Sequence, residues 1–337
     1  MVIYFNLIMK STNILLLKII QKIYLKIVSP TIQLNSSREE NAEKASSIIY
    51  KILSEESPCM IARFGSTELS ALVNYLGVNS PRHSYIKYIQ GKQPEWWWNK
   101  NIMNQMQQWS GFFPPTPENM QKFGDLMMKD IPMVDILGSW IDNERYFEKE
   151  LTNAQLVHLR LLEPFWSKKP WTKALEGKKV LVVHPFAKTI ISQYNNHRTQ
   201  LFKNPDILPL FQLETIEAIQ SLGGDNTQFK DWFEALEFMK KEIDSKDYDI
   251  CLIGCGAYGF PLAAHIKRKG KKAIHMGGAL QLLFGIKGKR WEDPNYGVKE
   301  WSIPYGSYTS LINEYWVRPE NKTKPQNANQ VEGGCYW

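Results

Sequence analysis

The pattern best suited to chemistry is a glycine-rich turn in the second half of the chain. Gly254, Gly256 and Gly259 form a G-x-G-x-x-G sequence directly after an apolar run and before a helical one. In that setting the turn presents backbone N–H groups to a phosphate at a helix N-terminus. A nicotinamide site would also need an acid at the end of the next strand. Residues 275–278 occupy that position without an acid, which argues against a nicotinamide or S-adenosylmethionine site.

A second glycine pair, Gly277-Gly278, opens what the sequence predicts to be another helix, ALQLLFGIK. Two neighbouring helix N-termini at the carboxyl edge of one sheet would concentrate positive dipole there. Lys287, Lys289 and Arg290 follow and could add side-chain charge toward a diphosphate. The alternative is that the glycines only let helix and strand pack closely, while the basic residues form a solvated surface.

A third turn, Arg63-Phe64-Gly65-Ser66, follows the short apolar run Cys59–Ala62 and precedes the helical stretch TELSALVNYL. Ser66 lies where a helix N-cap is expected. Arg63 at the strand end could offer a bidentate fork to phosphate, or it could form a buried structural ion pair.

A general base must be an Asp, Glu or His in the cleft. Glu68 is the first choice and His184 the second, although a histidine before proline is more often a structural hydrogen-bonding residue. Three further acids lie near predicted strand ends or turns: Asp142, Glu144 and Glu214.

Several aromatic residues and cysteines are candidates for binding roles. Tyr258, inside the glycine turn, could stack on a nucleobase or a sugar. The run Trp96–Trp98 could stack on sugar rings, but packing in the core or at a membrane edge is favoured. Cys251 and Cys255 lack partners at zinc spacing and are expected to be buried thiols. Hydrolase and ATPase motifs are missing from the sequence.

The elements that position these residues alternate along the chain. Apolar runs predict strands at 59–62, 134–137, 179–185, 208–213, 248–253 and 272–276, with helices between them and one near 41–55. This order predicts an α/β, Rossmann-like fold with a mostly parallel sheet and helices on both faces. Without a separating linker, residues 36–318 are expected to form one domain. Residues 319–337 form a polar tail, whose closing Cys335-Tyr336-Trp337 could dock back.

The net charge of +7 over 337 residues is concentrated in two segments. Residues 1–35 hold four lysines and no acid, and residues 264–291 hold eight basic residues and no acid. The remainder is therefore net acidic, which favours two local anionic partners over nucleic acid. Four cysteines and no secretion-type cleavage site favour a reducing compartment.

Residues 1–35 are predicted to form an amphipathic helix that Pro30 ends. Lys18, Lys22 and Lys26 recur every fourth residue and form one stripe beside a wide aliphatic face. That pattern fits a helix lying in the interface of an anionic membrane. Packing on the core with snorkelling lysines is the second alternative, and a signal anchor is the third.

Several segments of the sequence resemble those of a known protein family. The segment from Ile61 to Glu68, IARFGSTE, is similar to the Arg-Phe-Gly-Asp-Gly-Glu signature of GT-D-type glycosyltransferases. The blocks VLVVHPFAKTIISQY, LPLFQLETI, GCGAYGFPLAAHIKRKGKKAIHMGGALQLLFGIKGKRW and CYW resemble a branch found among bacterial surface-polysaccharide proteins. The resemblance covers residues 45–337 and is weaker over 80–130. It implies a Rossmann-like fold and transfer of a sugar from a nucleotide-diphosphate sugar to a glycan or lipid-linked acceptor.

The family signature also implies a metal site formed by an Asp-x-Glu pair. Glu68 matches its second acid, whereas Ser66 replaces the first and cannot supply the anionic oxygen that Mg²⁺ or Mn²⁺ prefers. Bound Mn²⁺ or Mg²⁺ and metal-independent catalysis, with Lys287, Lys289 and Arg290 replacing the cation, are both open.

The sequence therefore predicts a cytoplasmic, peripheral membrane glycosyltransferase. The alternative is a non-catalytic nucleotide- or glycan-binding partner of a polysaccharide assembly complex. The predicted catalytic residues are Glu68 and His184, with Glu68 also the predicted metal ligand. The predicted donor-binding residues are Arg63, Gly65, Ser66, Gly254, Gly256, Tyr258, Gly259, Gly277, Gly278, Lys287, Lys289 and Arg290.

Overall fold

The computed structural model describes residues 11–28, 38–221, 228–320 and 334–337. Its centre is one seven-stranded, all-parallel sheet in the order β3-β2-β1-β7-β6-β4-β5. The strands are β1 (Met60–Ala62), β2 (Ile136–Ser139), β3 (Gln155–His158), β4 (Lys179–His184), β5 (Gln212–Glu217), β6 (Ile250–Ile253) and β7 (Lys272–His275).

The strands are apolar because a parallel sheet is covered on both faces. In β1, Ile61 pairs with Ile136 of β2 on one side and with Ile274 of β7 on the other. The predicted parallel sheet is confirmed. The sequence analysis missed β3, and it placed β5 four residues too early.

Helices lie on both faces of the sheet, as predicted. They are α1 (Ser11–Val28), α2 (Ala42–Ser54), α3 (Ser66–Val78), α4 (Tyr85–Ile89), α5 (Lys100–Ser110), α6 (Pro117–Asp130), α7 (Ala187–His197), α8 (Trp232–Asp244), α9 (Gly259–Arg268), α10 (Leu280–Leu283) and α11 (Val298–Trp301). Buried side chains of α3, α5, α6, α8 and α9 belong to one apolar core layer. Those of α2, α7 and α10 belong to the other.

The chain reverses direction across the sheet between β4 and β6. From β4 it runs through α7 to β5, and from β6 it runs through α9 to β7, on the opposite side. Since α7 and α9 pack in different core layers, the loops after β4 and β6 diverge. Such a switch point at the carboxyl edge of an open parallel sheet is where ligands bind in this class of fold.

The N-terminal helix α1 is present, and the residues on its half-buried side are Ile14, Leu17, Lys18, Gln21, Tyr24 and Leu25. The Lys18 ammonium lies 3.0 Å from a Glu95 carboxylate oxygen and 5.8 Å from the Trp97 ring centroid. The Gln21 side chain donates a hydrogen bond to the Tyr88 carbonyl at 2.7 Å. Of the three lysines in the predicted stripe, Lys18 is half-buried and forms this ion pair, and Lys22 is exposed.

The outward side of α1 is aliphatic. Leu16, Ile19, Ile23 and Ile27 are 58%, 47%, 54% and 77% exposed. The described residues contain no helix that is long and apolar enough to cross a membrane. The predicted helix end at Pro30, the rest of the segment over 1–10 and 29–35, and most of the tail lie outside the described residues.

Candidate active site

A cavity of about 180 Å³ opens at the carboxyl ends of β1, β4, β6 and β7. We call it the first cavity. The predicted site residues that line it are Arg63, Gly65, Ser66, Glu68, His184, Gly254, Gly256, Tyr258, Gly277, Gly278 and Arg290. The sheet thus brings together residues that are distant in the sequence. Gly259, Lys287 and Lys289 are not among the lining residues.

The glycines are required by the close approach of strand ends. A Cβ atom on Gly254 would lie 2.7 Å from the Gly277 carbonyl oxygen and 2.7 Å from a carbon of the His184 ring. One on Gly259 would lie 2.1 Å from the His275 ring. Gly256 and Gly277 adopt positive φ angles of 57° and 63°, which favour glycine. Close packing thus accounts for part of the pattern, as the alternative interpretation expected.

The predicted helix after Gly277 is wrong in length. A 3₁₀ turn at Gly277–Ala279 is followed by α10, which has only four residues. Because the helix dipole grows from aligned peptide units, so short a helix supplies little positive potential. Positive charge for binding a phosphate must therefore come from side chains that line the cavity. The predicted Ser66 cap is also displaced, since Gly65 is the N-cap of α3.

Arg63 is the cation at the centre of the site. Its guanidinium lies over the Trp140 ring, 5.3 Å from the centroid. Trp140 is held by a 3.0 Å hydrogen bond from its indole N–H to the Phe64 carbonyl and by a second from its backbone N–H to Glu144. Over the described part of the chain, no residue accepts a hydrogen bond from the Arg63 guanidinium or forms an ion pair with it. The buried structural ion pair considered for Arg63 is therefore wrong.

The electrostatic environment leaves Arg63 poorly compensated. Burial lowers the pKa of Arg63, and the charge of Arg290 acts in the same direction, whereas the carboxylate of Glu68 opposes them. Because an arginine stays protonated at neutral pH despite such effects, a positive charge lines the cavity. An anion is the chemical group that would stabilise it.

Arg290 occupies an aromatic enclosure beside the same cavity. Its guanidinium lies 4.9 Å from the Tyr336 ring centroid and 5.6 Å from that of Tyr296. It also contacts the Cys335 sulfur at 2.9 Å. The rest of the predicted basic cluster lies elsewhere, since Lys287 forms a 3.3 Å ion pair with Glu292. Arg290 alone of this cluster lines the cavity.

Glu68 has the sole acidic side chain among the described residues that line the first cavity. Its side chain folds back over Gly65, where an added Cβ would lie 1.8 Å from a carboxylate oxygen. The described residues contain no group of three His, Cys, Asp or Glu side chains able to hold a metal ion. One carboxylate beside the exposed hydroxyl of Ser66 does not fit a protein-held Mn²⁺ or Mg²⁺.

His184 lines the cavity, but its geometry suits a donor better than a base. Its Nδ1 accepts a 3.0 Å hydrogen bond from the Phe186 backbone N–H, which places the ring proton on Nε2. Burial lowers the pKa of His184 to about 3. A neutral imidazole with Nδ1 occupied can donate from Nε2, whereas taking a proton there is unfavourable.

Tyr258 packs mainly into the core. Its ring stacks on Trp232 with centroids 5.1 Å apart, and its hydroxyl lies 3.1 Å from Ser221. Since the tyrosine is 2% exposed, its ring face is not open to a nucleobase. Trp96 packs against the His83 ring at 5.1 Å, in agreement with the packing interpretation.

The remaining acids have other partners or positions. Glu144 accepts hydrogen bonds from Ser139, Trp140 and Ile141. Glu214 lies within β5 and forms a 3.2 Å ion pair with Lys246. Asp142 does not line the cavity.

The lining residues that the sequence analysis did not assign to the site include Trp140, His275, Tyr336 and Trp337. His275 ends β7, so its position after a buried strand was a usable signal. Trp140 directly follows β2, whose predicted end was two residues too early. Tyr336 and Trp337 dock back as expected, since the Arg290 backbone N–H donates to the Cys335 carbonyl at 3.1 Å.

A second cavity of about 500 Å³ adjoins the first, at the carboxyl ends of β1, β2 and β3. The two cavities share the side chains that separate them: Arg63, Trp140, Arg290 and Tyr336, together with Gly278. Both guanidinium groups therefore lie in the wall between two spaces.

No family model, curated protein or solved structure matches this chain.

Proposed function

We propose that this chain is a glycosyltransferase that moves a sugar from a nucleotide-diphosphate sugar to a glycan or lipid-linked acceptor in bacterial surface polysaccharide synthesis. The observation that carries the proposal is Arg63, a guanidinium without an acceptor among the described residues. It lies beside Arg290 in the wall between two cavities. The resemblance of IARFGSTE to the GT-D signature supports the same activity.

The chemistry of sugar transfer fits two adjacent arginines. When the bond from the anomeric carbon to the diphosphate breaks, negative charge grows on the leaving oxygen. Fixed positive groups aimed at that charge lower the barrier because they need no reorganisation. In this proposal Arg63 and Arg290 hold the diphosphate, because charge-assisted hydrogen bonds to phosphate are among the stronger ones in proteins.

Glu68 is our candidate for the group that takes the proton of the acceptor hydroxyl. It is the sole acid among the described lining residues of the first cavity, and its carboxylate has no hydrogen-bonded partner in that part of the chain. A free carboxylate in a cleft can accept a proton as the new bond forms. Since the donor set does not fit a protein-held metal, we route no step through one.

The first experiment separates catalysis from binding. Purified chain is incubated with a panel of nucleotide sugars, and release of the free nucleoside diphosphate is measured with and without Mn²⁺. We expect turnover of at least one donor, retained in EDTA because arginines supply the charge. Thermal shifts with UDP, GDP and dTDP provide the parallel binding measurement.

The second candidate function is a non-catalytic nucleotide- or glycan-binding partner of a polysaccharide assembly complex, favoured by Ser66 in place of the signature's first acid. Diphosphate binding without turnover of any donor would support it. Absence of both nucleotide binding and turnover would contradict the transferase and a nucleotide-binding partner, and would leave only a glycan-binding partner.

We also propose that the protein lies on the inner face of the cell membrane, with α1 in the interface. The side of α1 that faces the protein is held through Lys18 and Gln21, and the exposed side carries the aliphatic residues Leu16, Ile19, Ile23 and Ile27. Lys22 is exposed on a helix without acids. Such a lysine contributes about 1 kcal/mol on an anionic surface, and the aliphatic side adds a salt-insensitive part.

Vesicle sedimentation tests this orientation. The full chain should bind vesicles containing phosphatidylglycerol, and salt should release only part of it. Ile19→Asp and Ile23→Asp together should abolish binding, because they put charge on the outward side. Leu210→Asp is the matched control, since Leu210 is an exposed aliphatic residue outside α1. If the α1 variant binds vesicles like the wild type, or if it changes only the oligomeric mass, the membrane assignment is wrong.

A further inference from the structure

The second cavity differs in chemistry from the first. The first is lined by the glycine turns and the start of α3. The second is lined by the half-buried rings of Trp301, Tyr296 and Tyr336, and by the carboxylates of Glu163 and Glu300. Aromatic surface with a few placed polar groups is typical of a small-molecule site. The two cavities are therefore suited to different ligands.

The charged and titratable side chains that line the second cavity are Glu163, Glu300, Arg38, Arg63, Arg290 and His158. Glu163 is 8% exposed and accepts hydrogen bonds from the Trp166 indole at 2.8 Å and the Tyr308 hydroxyl at 2.9 Å. An ionised carboxylate has about four lone-pair positions. Glu163 thus retains capacity for a hydroxyl donor from the cavity.

The backbone that presents Trp301 is held in an uncommon conformation. Trp301 ends the short helix α11, which lies between Gly297 at φ 80° and Ser302 at φ 53°. Ser302 is the sole non-glycine residue with positive φ in the described parts of the chain. Such conformations are energetically unfavourable for a residue other than glycine and cluster at ligand sites. This unfavourable conformation occurs next to Glu300 and Trp301, which line the second cavity.

We infer that the second cavity binds the acceptor as a saccharide, packed against Trp301 and Tyr296 with its hydroxyls donating to Glu163 and Glu300. Sugars combine apolar C–H faces with rings of hydroxyl donors, which match aromatic surface and carboxylate oxygens respectively. Because Arg63, Arg290 and Tyr336 line both cavities, a saccharide there would lie next to the diphosphate. Its role as acceptor rests on the proposed function, whereas its binding does not.

The burial of Glu163 adds support. Desolvation raises the pKa of this carboxyl to about 7, opposed by the hydrogen bonds from Trp166 and Tyr308 and by the charge of Arg160. A group that exchanges its proton near neutral pH on a cavity wall is typical of a functional position.

Saturation-transfer NMR on the full chain tests the inference, with methyl glucosides, galactosides and N-acetylglucosaminides as probes. We expect saturation transfer from the protein to at least one glycoside. The transfer signal should fall at least fivefold in Trp301→Ala. Glu300→Gln, a change at an exposed position, should weaken the signal at least twofold without affecting folding. Tyr305→Ala is the matched control, because Tyr305 is an exposed aromatic residue of the same region and does not line the cavity.

Two further measurements separate this site from the first cavity. Excess UDP should leave the glycoside signal in place, and Trp301→Ala should leave the Kd for UDP within twofold of wild type. The inference is overturned if no glycoside is saturated, if UDP displaces the glycoside, or if Tyr305→Ala lowers the signal as much as Trp301→Ala. If the glycoside results hold but no nucleotide binds, the saccharide site stands and the proposed function fails.

Discussion

Replacing Arg63 by Met is the sharpest test of the proposed diphosphate site formed by Arg63 and Arg290. Methionine keeps most of the apolar length that packs on Trp140 but removes the charge. No described residue forms a hydrogen bond or ion pair with the Arg63 guanidinium. Folding therefore loses the cation–π contact, worth about 0.5–2 kcal/mol from exposed to desolvated sites, and the attraction of the Glu68 carboxylate. Relief of the burial cost and of repulsion from Arg290 offsets part of that loss. We expect the free energy of unfolding to change by about 1 kcal/mol or less.

Ligand binding should respond much more strongly. A hydrogen bond to a charged group contributes about 1.5–3 kcal/mol, so loss of the Arg63 contact to a diphosphate should weaken Kd roughly 10- to 150-fold. Isothermal titration with UDP, GDP or dTDP gives the affinity, and urea denaturation gives the stability. The corresponding nucleoside without phosphates should bind the variant and the wild type alike.

Arg145→Met is the matched control for this experiment. The Arg145 guanidinium lies 4.9 Å from the Tyr146 ring centroid, in a stacking contact like that of Arg63, but Arg145 does not line either cavity. It should leave diphosphate affinity unchanged. The reasoning is refuted if Arg63→Met costs more than about 2 kcal/mol of stability while diphosphate affinity is kept, because Arg63 would then be a structural group.

Three further changes test the site and its supports. Glu68→Gln should lower donor turnover at least a hundredfold, measured as diphosphate release, with an unchanged melting temperature; activity within threefold of wild type would remove Glu68 from the chemistry. Glu163 has a folded pKa of about 7, above its usual 4.5, so its contribution to stability is present below pH 4.5 and is lost as pH rises through 7. Glu163→Gln should therefore make the melting temperature drop less between pH 5 and pH 8 than in the wild type. Gly254→Ala places a Cβ 2.7 Å from the Gly277 carbonyl and should cost about 1–3 kcal/mol in urea denaturation, whereas an unaffected midpoint would mean that the two turns can separate.

The fold class followed from the sequence because buried parallel strands leave long apolar runs. The run from Lys179 to His184 is a strand over its whole length, with five of its six residues buried. The strand Gln155–His158 escaped because it lies at the sheet edge and its first two residues are not buried. Its pattern therefore resembles a loop.

The parts of the site that follow from the backbone geometry of the parallel sheet could be predicted from the sequence. Gly254 and Gly277 follow strands, and parallel strands bring their carboxyl ends to one edge. Side-chain direction was not predictable in the same way. Lys287 and Arg290 are three residues apart, yet only Arg290 reaches the cavity, since Glu292 engages Lys287 and the ring of Tyr336 lies against Arg290. Such choices depend on tertiary partners.

The same limit applies to α1. The sequence predicted the helix and its amphipathic character, but the protein-facing side was set by distant residues. Glu95 and the carbonyl of Tyr88 attract Lys18 and Gln21, and the aliphatic stripe is turned outward as a result.

The segment Gly334–Trp337 has a thermodynamic consequence for the site. Its backbone carbonyls accept hydrogen bonds from Arg290 and from the Gln281 side chain, and its Tyr336 ring divides the cavities. A molecule that contacts Tyr336 binds only the docked arrangement, so its binding free energy is added to that of docking. By reciprocity, whatever holds the segment in place raises the affinity for that molecule by the same factor. Ligand binding and the docking of these residues are thermodynamically coupled. Protection of their backbone amides from hydrogen exchange would therefore report occupancy of the site.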